Sequence, residues 1–147
     1  MLFLEQMAKN QVFIVALVSW FVAQTLKVIY TLIKDKKLNL YRFVGSGGMP
    51  SSHSSLVMGL STAVGLKSGW DSIPYAIALS FALIIMYDAS GVRRAVGKQA
   101  IILNKIIEDR HHHKPIGEQR LKELIGHTPF EVFAGAILGI IIANLMI

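Results

Sequence analysis

Apolar residues gather into four segments along the chain, and the stretches between them hold nearly all of the charge. The segments cover about residues 12–33, 54–66, 73–87 and 129–147. The first is too long for the core of a signal peptide, and no small-residue cleavage pattern follows it, so we interpret it as a retained helix. A helix needs roughly 20 apolar residues to cross a bilayer alone. The second and third segments must therefore extend into their polar flanks or be sheltered by protein.

Small residues at helical spacing mark the second and fourth segments. Glycine, serine and alanine are frequent in residues 54–66, and the last segment holds Gly135 and Gly139 four positions apart. Small side chains let helix backbones come close together inside a bilayer, so both segments are predicted to pack against other helices. Pro74 stands at the start of the third segment, where a first-turn proline belongs.

The polar stretch 91–127 contains one further periodic pattern. Val96, Ala100, Leu103 and Ile107 follow one another at spacings of four, three and four, which places them on one face of a helix. This pattern predicts an amphipathic helix at the membrane interface. The sequence therefore predicts an all-α, polytopic membrane bundle of about four membrane helices plus this interfacial helix, in a single domain over residues 1–147.

Composition supports a bilayer as the solvent. The 147 residues are 53% hydrophobic and 16% charged, with a mean hydropathy of +0.52, whereas soluble domains average about 45–50% apolar and about 25% charged. The net charge of +6 does not predict a nucleic-acid partner, because the basic residues flank apolar spans without interleaved aromatic residues. Since the chain has no cysteine, disulfides, thiolate metal sites and cysteine nucleophiles are excluded.

The distribution of lysine and arginine predicts an orientation. If all four segments cross, most basic residues fall on one side of the membrane. They are Lys34, Lys36, Lys37, Arg42, Arg93, Arg94, Lys98, Lys105, Arg110, Lys114, Arg120 and Lys122. The opposite side carries only Lys9 and Lys67. Positively charged loops favour the cytoplasm, so the crowded side is predicted to be cytoplasmic.

The first polar motif on the crowded side, residues 45–53, opens the second segment. Its glycines, Gly48 among them, let a backbone approach a ligand closely. Ser51, Ser52 and the N–H groups of the helix start offer hydrogen-bond donors to an anion, which the helix dipole also attracts. The alternative is that Pro50 and Ser51 only cap the helix. The residues by themselves leave both interpretations open.

The second motif, residues 87–94, closes the third segment with adjacent arginines. Arg93 and Arg94 at a membrane surface are typical of topology anchors or lipid-headgroup contacts. A guanidinium group also binds phosphate through two parallel hydrogen bonds. Asp88 either orients one of these arginines or neutralises it.

The third motif, residues 126–131, opens the last segment. Thr128 and Glu131 fit a capping box, and Pro129 takes the first helical position. This helix start does not explain His127, which lies just outside the cap and is placed to face a polar pocket. Glu131 follows it by four residues, close enough to hold its ring.

One basic residue lies within an apolar segment. Lys27 is about two-thirds of the way along the first segment, and Gln24 lies one turn earlier. A lysine near the bilayer centre costs up to roughly 2.5–3.5 kcal/mol on insertion scales. We therefore expect Lys27 to face protein or a polar cavity.

These motifs together resemble a known family. Pro50-Ser51-Ser52-His53 is similar to the Pro-Ser-Gly-His motif of the type 2 phosphatidic acid phosphatase superfamily, and His127 followed by Glu131 is similar to its closing motif. The fuller pattern is closer to the divergent branch of that superfamily. It comprises Ala23, Gln24 and Lys27, residues 47–54, residues 87–94 and residues 126–129.

The resemblance implies a metal-independent phosphatase that acts through a phosphohistidine and needs no cofactor. By analogy, His127 attacks phosphorus, Glu131 holds its ring, and His53 protonates the leaving oxygen. The residues implied to bind phosphoryl oxygens, or to support those that do, are Lys27, Arg42, Ser51, Ser52, Arg93 and Arg94, with Asp88, Gly48 and Lys34 in support. Two imidazoles and several fixed cations suit this chemistry near neutral pH.

The expected activity is hydrolysis of a phosphomonoester or pyrophosphate on a membrane lipid, because the motifs lie at the height of headgroups. By analogy, the membrane is a bacterial plasma membrane. One rival is a non-catalytic protein that binds an anionic headgroup or assists assembly, and another is a small transporter or channel that uses Lys27 and Asp88. His111, His112 and His113 are interpreted as a solvated loop, since consecutive side chains rarely converge on one metal ion. Four short helices bury little surface, so a homodimer is compatible with the sequence.

Overall fold

The chain folds into helices in a computed structural model that describes residues 2–36, 48–110 and 126–147, without the side chains of residues 34, 35, 94 and 108–110. Within these ranges there are six helices and no strand. They are α1 (Leu2–Lys9), α2 (Gln11–Asp35), α3 (Ser52–Ser68), α4 (Ile73–Ser90), α5 (Val92–Arg110) and α6 (Pro129–Met146). The all-α prediction is confirmed.

Each of the four apolar segments forms the greater part of a helix, namely α2, α3, α4 and α6. Polar side chains start all four of them. Ser51, Ser72 and Thr128 each accept a hydrogen bond from the backbone N–H three residues ahead, which satisfies one of the free donors of a helix start. Pro74 and Pro129 occupy the first turns that the sequence predicted.

The short helix α1 was not predicted. It has eight residues and ends just before Asn10. The side chain of Asn10 accepts a hydrogen bond from the Phe13 N–H and so caps the start of α2. Leu2, Phe3 and Leu4 are about 70% exposed. The apolar pattern of α1 is too short to separate from that of α2 by periodicity, and only the cap at Asn10 marks the break.

The central helix is α3, which contacts α2, α4 and α6. Its buried positions are Ser52, Ser54, Ser55, Val57, Gly59, Ser61, Thr62, Ala63 and Gly65. Because these side chains are small, neighbouring backbones approach closely. A Cβ added to Gly139 of α6 would overlap the Ser55 carbonyl oxygen, and one added to Gly135 would overlap that of Ser51. The packing role predicted for both glycines is confirmed.

Three helical stretches among the described residues are long and apolar enough to cross a membrane. They are Gln11–Ile33, Ile73–Ile107 and Pro129–Met146. The remaining apolar segment lies in α3, which has 17 residues, nine of them buried. It is covered by neighbouring helices, as expected for an apolar segment too short to cross a bilayer alone.

The helix predicted after residue 91 is present as α5, and only part of its predicted apolar face is buried against protein. Ala100 is buried, whereas Val96 and Leu103 are 42% and 48% exposed. Gly97 and Asn104 are buried in their place. Among the described helices α5 contacts only α4. Its location at a membrane interface stays a prediction.

Candidate functional site

The polar motifs meet at one end of the bundle, where α3 and α6 begin and α4 ends. Two backbone hydrogen bonds fasten them together. The Ser51 N–H donates to the Glu131 carbonyl oxygen over 3.0 Å, and the His127 N–H donates to the Ala89 carbonyl oxygen over 3.0 Å. The first joins the starts of α3 and α6, and the second joins the start of α6 to the end of α4. The positions of the motif side chains therefore depend on backbone contacts between three helices.

The two motif histidines face each other at this end. His53 is the second residue of α3, and His127 directly precedes the residue that caps α6. Their ring centroids are 6.1 Å apart, and the rings meet edge to face at 65°. His127 is only 2% exposed, while His53 is partly exposed. The His127 imidazole is thus enclosed by protein, whereas the His53 imidazole is partly accessible.

Neither ring nitrogen of His127 has a hydrogen-bond partner in the described part of the chain, although both are buried. The nearest acceptor is Glu131, whose Oε2 lies 3.4 Å from His127 Nδ1. A buried polar atom without a partner costs about 1–3 kcal/mol, so such atoms are rare and concentrate where a protein has a function to perform. This imidazole is the best candidate for a reactive group.

Glu131 also takes part in the cap at the start of α6. Its Oε2 accepts a hydrogen bond from the Thr128 N–H over 2.8 Å, and its own N–H donates to Thr128 Oγ1 over 3.3 Å. The predicted capping box is therefore confirmed. Because one carboxylate oxygen serves both the cap and the imidazole, the orientation of His127 is tied to the integrity of the cap.

Burial lowers the pKa of the His127 imidazole below its usual value. The carboxylate of Glu131 acts against this shift, and the positive charge of Lys27 and the neighbouring His53 act with it. The neutral form of His127 is consequently favoured at neutral pH. A neutral imidazole has the free lone pair that a nucleophile needs.

Lys27 lies in α2 and is buried, with 1% of its surface exposed. Its Nζ donates a hydrogen bond to Gln24 Oε1 over 2.8 Å, and Gln24 is 4% exposed. The positive charge of Lys27 lowers the pKa of His127, which makes the ammonium group a candidate member of the same site. The expectation that Lys27 faces protein is confirmed. An ionisable residue inside a spanning helix is a candidate functional residue by default.

The serine motif forms the start of α3. Ser51 and Ser52 are 0% and 1% exposed. The Ser51 hydroxyl oxygen accepts hydrogen bonds from the N–H and the Oγ of Ser54, over 3.4 and 3.1 Å. The capping role that the sequence left open is present, and phosphate binding by either serine stays a prediction. Gly48 has a φ of +89°, a backbone conformation that favours glycine.

Arg93 and Asp88 form an exposed ion pair beside the histidines. Arg93 Nε lies 2.6 Å from Asp88 Oδ2, and their side chains are 47% and 39% exposed. Both charges act on His53. Arg42 and the side chains of Lys34 and Arg94 lie outside the described residues, as do His111, His112 and His113.

Two contributors to this end of the bundle were given no role in the site by sequence reasoning. Ala89 supplies only its backbone carbonyl, for which a sequence contains no signal. Gln24 was noticed as a neighbour of Lys27, but only the fold shows that its amide oxygen is the acceptor for the ammonium group. A glutamine three residues before a lysine in an apolar helix is the signal that was available.

Comparisons with known proteins agree with the motif pattern. A family model described as "Divergent PAP2 family" matches residues 8–142. The chain is 41% identical over 131 residues to a protein of Bacillus subtilis (strain 168) named "Uncharacterized membrane protein YuiD", and the match covers 82% of this chain and 83% of that protein. No solved structure matches the chain.

Proposed function

The chain belongs to the divergent PAP2 family, and from this membership we propose that it is a membrane phosphatase that hydrolyses a phosphomonoester or pyrophosphate on a lipid. The observation that carries the proposal is the facing pair of His53 and His127, with ring centroids 6.1 Å apart; the buried ammonium group of Lys27, whose charge lowers the pKa of His127, supports it. Two imidazoles with a fixed cation provide a nucleophile, an acid and charge stabilisation in one place.

In the first step the lone pair of His127 Nε2 attacks phosphorus. Glu131 faces Nδ1, so the Nδ1 proton points to the carboxylate and Nε2 carries the lone pair. The bond between phosphorus and the leaving oxygen breaks, and that oxygen takes a proton from His53. The products of this step are a phosphohistidine, the dephosphorylated lipid and a neutral His53.

In the second step water attacks the phosphohistidine, and the neutral His53 accepts a proton from that water. The P–N bond breaks, its electron pair returns to His127, and phosphate leaves. Lys27 and Arg93 are assigned to the phosphoryl oxygens, whose negative charge they balance in both steps. No bound metal ion or cofactor enters either step.

The proposal places the site in the cytoplasmic leaflet of a bacterial plasma membrane. The cytoplasmic side is supported by the excess of basic residues on the side that carries the motifs, and the bacterial plasma membrane by analogy with the family. A lipid is the assigned substrate because the histidines lie at the end of a membrane bundle, at the height of headgroups.

The test is phosphate release from a panel of lipid phosphates by detergent-purified protein with EDTA present. The panel contains phosphatidic acid, phosphatidylglycerophosphate and a polyprenyl pyrophosphate. His127→Ala and His53→Ala are compared with His112→Ala, at a histidine to which the proposed mechanism gives no role. Release that persists in EDTA and in His112→Ala, but is lost in the two folded site variants, supports the phosphatase.

A non-catalytic lipid-binding protein is the second candidate. It is favoured by one observation, that Glu131 Oε2 is already bonded within the capping box at 2.8 Å and stands farther, at 3.4 Å, from His127. Folded protein that binds these lipids and releases no phosphate from any of them would support this candidate and refute the phosphatase.

A further inference from the structure

Among the described helices, the packing around α3 leaves one of its sides open. Its contact with α6 runs through Ser51, Ser55 and Gly59, where Gly135 and Gly139 come close. Its contact with α2 lies next to this one, because Ser19 of α2 reaches both Ser55 and Gly59. These residues recur every four positions, as one face of a helix does.

The α2 contact continues along the helix at Ala63, which packs with Val15. Val57, Ser61 and Gly65 form a second buried stripe at the same spacing. By elimination this stripe faces α4, the remaining helix that contacts α3. The side of α3 with Ser55 and Gly59 is thus assigned to α2 and α6. The side with Val57, Ser61 and Gly65 is assigned to α4.

Between α2 and α4 there is a gap over α3. In the described helices, no Cα atom of α2 lies within 8 Å of a Cα atom of α4, although both helices contact α3. The side of α3 that points into this gap carries Leu56, Leu60 and Val64, each partly exposed. On a helical wheel these three residues fall on the same side as His53 and between the faces assigned to α2 and α4.

We propose that this apolar stripe, Leu56, Leu60 and Val64 in the gap between α2 and α4, binds the hydrocarbon chain of the lipid phosphate whose headgroup reaches His53. The identity of the ligand rests on the proposed function. The stripe begins one turn from His53, so a chain lying along it is continuous with a phosphate at the histidines. A lipid enters such a gap sideways, from within its leaflet.

The length of the stripe suits one leaflet. From His53 to Val64 the helix rises roughly 16 Å at 1.5 Å per residue, and half of a bilayer core is about 15 Å thick. The chain of a lipid in the leaflet beside the site therefore reaches along the stripe without leaving that leaflet. A phosphate ester without a long chain gains nothing from these contacts.

The outer face of α4 is also apolar, but it is not connected to the site in the same way. Its exposed residues Ile73, Ile77, Phe81 and Ile84 lie on the side of α4 that faces away from the bundle. Bulk lipid covers such a face in any membrane protein. The stripe on α3 differs because it lies between two helices and ends at a histidine.

The activity test compares two tryptophan substitutions on the same helix. Leu60→Trp fills the gap, and Met58→Trp changes an equally partly exposed residue that the helical wheel places outside the gap, between the faces for α4 and α6. We expect Leu60→Trp to lower kcat/KM for dioleoyl phosphatidic acid by about tenfold or more relative to dihexanoyl phosphatidic acid, since one aliphatic contact surface is lost. Met58→Trp leaves this ratio within about twofold. Equal effects of the two variants on the ratio would overturn the proposal.

A second measurement does not depend on turnover. A phosphatidic acid with a diazirine midway along one acyl chain is photolysed with the protein in phosphatidylcholine nanodiscs, and the labelled residues are located by mass spectrometry. We expect label around Leu60 that excess phosphatidic acid removes and excess phosphatidylcholine does not. Label spread evenly over the exposed face of α4 and insensitive to both competitors would overturn the proposal.

The two measurements separate the failure of this inference from the failure of the proposed function. Competed label at Leu60 without hydrolysis by the wild-type protein refutes the phosphatase and leaves the chain-binding site standing. Hydrolysis without competed label or chain-length dependence refutes the chain-binding site and leaves the phosphatase standing.

Discussion

Glu131 Oε2 stands 3.4 Å from Nδ1 of His127 while the same oxygen accepts the Thr128 N–H over 2.8 Å. The carboxylate therefore belongs both to a helix cap and to the environment of the candidate nucleophile. These two roles respond differently to substitution, because a cap needs only a hydrogen-bond acceptor, whereas the electrostatic effect on the imidazole needs a negative charge.

Glu131→Gln is expected to keep the cap and remove the charge. Glutamine also completes a capping box, so thermal stability in detergent should change little. Glu131 raises the pKa of His127, and its loss lowers that pKa further. The acidic limb of the pH–rate profile should therefore move to lower pH, as measured by phosphate release between pH 4 and 8.

Glu131→Ala is the matched comparison, since it removes the acceptor as well. Loss of a cap interaction costs about 1 kcal/mol, so this variant should unfold at a lower temperature than Glu131→Gln. Equal melting temperatures for the two variants would show that the cap contributes nothing to stability.

Lys27→Met is expected to shift the same limb in the opposite direction. The charge of Lys27 lowers the pKa of His127, so its removal raises that pKa. A nucleophilic imidazole must be neutral, and it then requires a higher pH to become so. The turnover rate should also fall, because a cation assigned to the phosphoryl oxygens is lost.

The stability of Lys27→Met distinguishes function from structure. Lys27→Met removes the cost of burying a charge, but it leaves the buried Gln24 Oε1 without its donor, and an unsatisfied buried acceptor costs about 1–3 kcal/mol. Since the two effects oppose each other, we expect a melting temperature close to that of the wild type together with lower activity. A variant that is both inactive and unfolded would instead give Lys27 a structural role.

The sequence predicted the charged and hydrogen-bonding side chains of the site far better than the groups that hold them in place, such as the Ala89 carbonyl and the Gln24 amide. His53, His127, Glu131 and Lys27 stand out because a polar residue within or beside an apolar helix is costly without a reason. His53, His127 and Glu131 meet at one end of the bundle, and the charge of Lys27 acts on His127.

Which residues of α5 are buried against protein could not be predicted from periodicity, for a physical reason. Periodicity identified the larger apolar residues, Val96 and Leu103, as one face, whereas Gly97 and Asn104 are among the residues buried. In water, large apolar residues mark the buried face, whereas in a bilayer they gain as much from lipid and small residues mark the helix contact. The same consideration made Gly135 and Gly139 correctly predictable.

Gly139→Ala is expected to destabilise the bundle. The added Cβ would overlap the Ser55 carbonyl oxygen and lie 2.7 Å from Gly59 N, and neither is the end of a flexible side chain. Overpacking of this kind costs typically about 1–3 kcal/mol. The unfolding midpoint in detergent should fall, whereas Ile141→Ala, at a residue 50% exposed on the same helix, should leave it nearly unchanged.

Arg93→Ala is expected to change substrate binding and not folding. The ion pair with Asp88 is exposed on both sides, and such pairs contribute about 0–1 kcal/mol to stability. If Arg93 binds phosphoryl oxygens, KM should rise by about tenfold with an unchanged melting temperature. An unchanged KM would remove Arg93 from the binding set.

Asp88→Asn serves as the companion variant. It frees Arg93 from its partner without removing the cation. If Asp88 competes with the substrate for the guanidinium group, KM should fall, whereas an orienting role for Asp88 predicts that KM rises.

The burial of α3 among its neighbouring helices has a consequence for biosynthesis. A helix with so many buried hydroxyl groups gains little from entering lipid by itself, and its most intimate neighbour, α6, leaves the ribosome after it. The histidine pair is therefore assembled only when the last helix has been inserted and has docked. A ribosome that stalls before residue 129 leaves a product in which the side of α3 that packs against Gly135 and Gly139 has no protein neighbour, and membrane quality-control proteases degrade proteins with such uncovered polar surfaces.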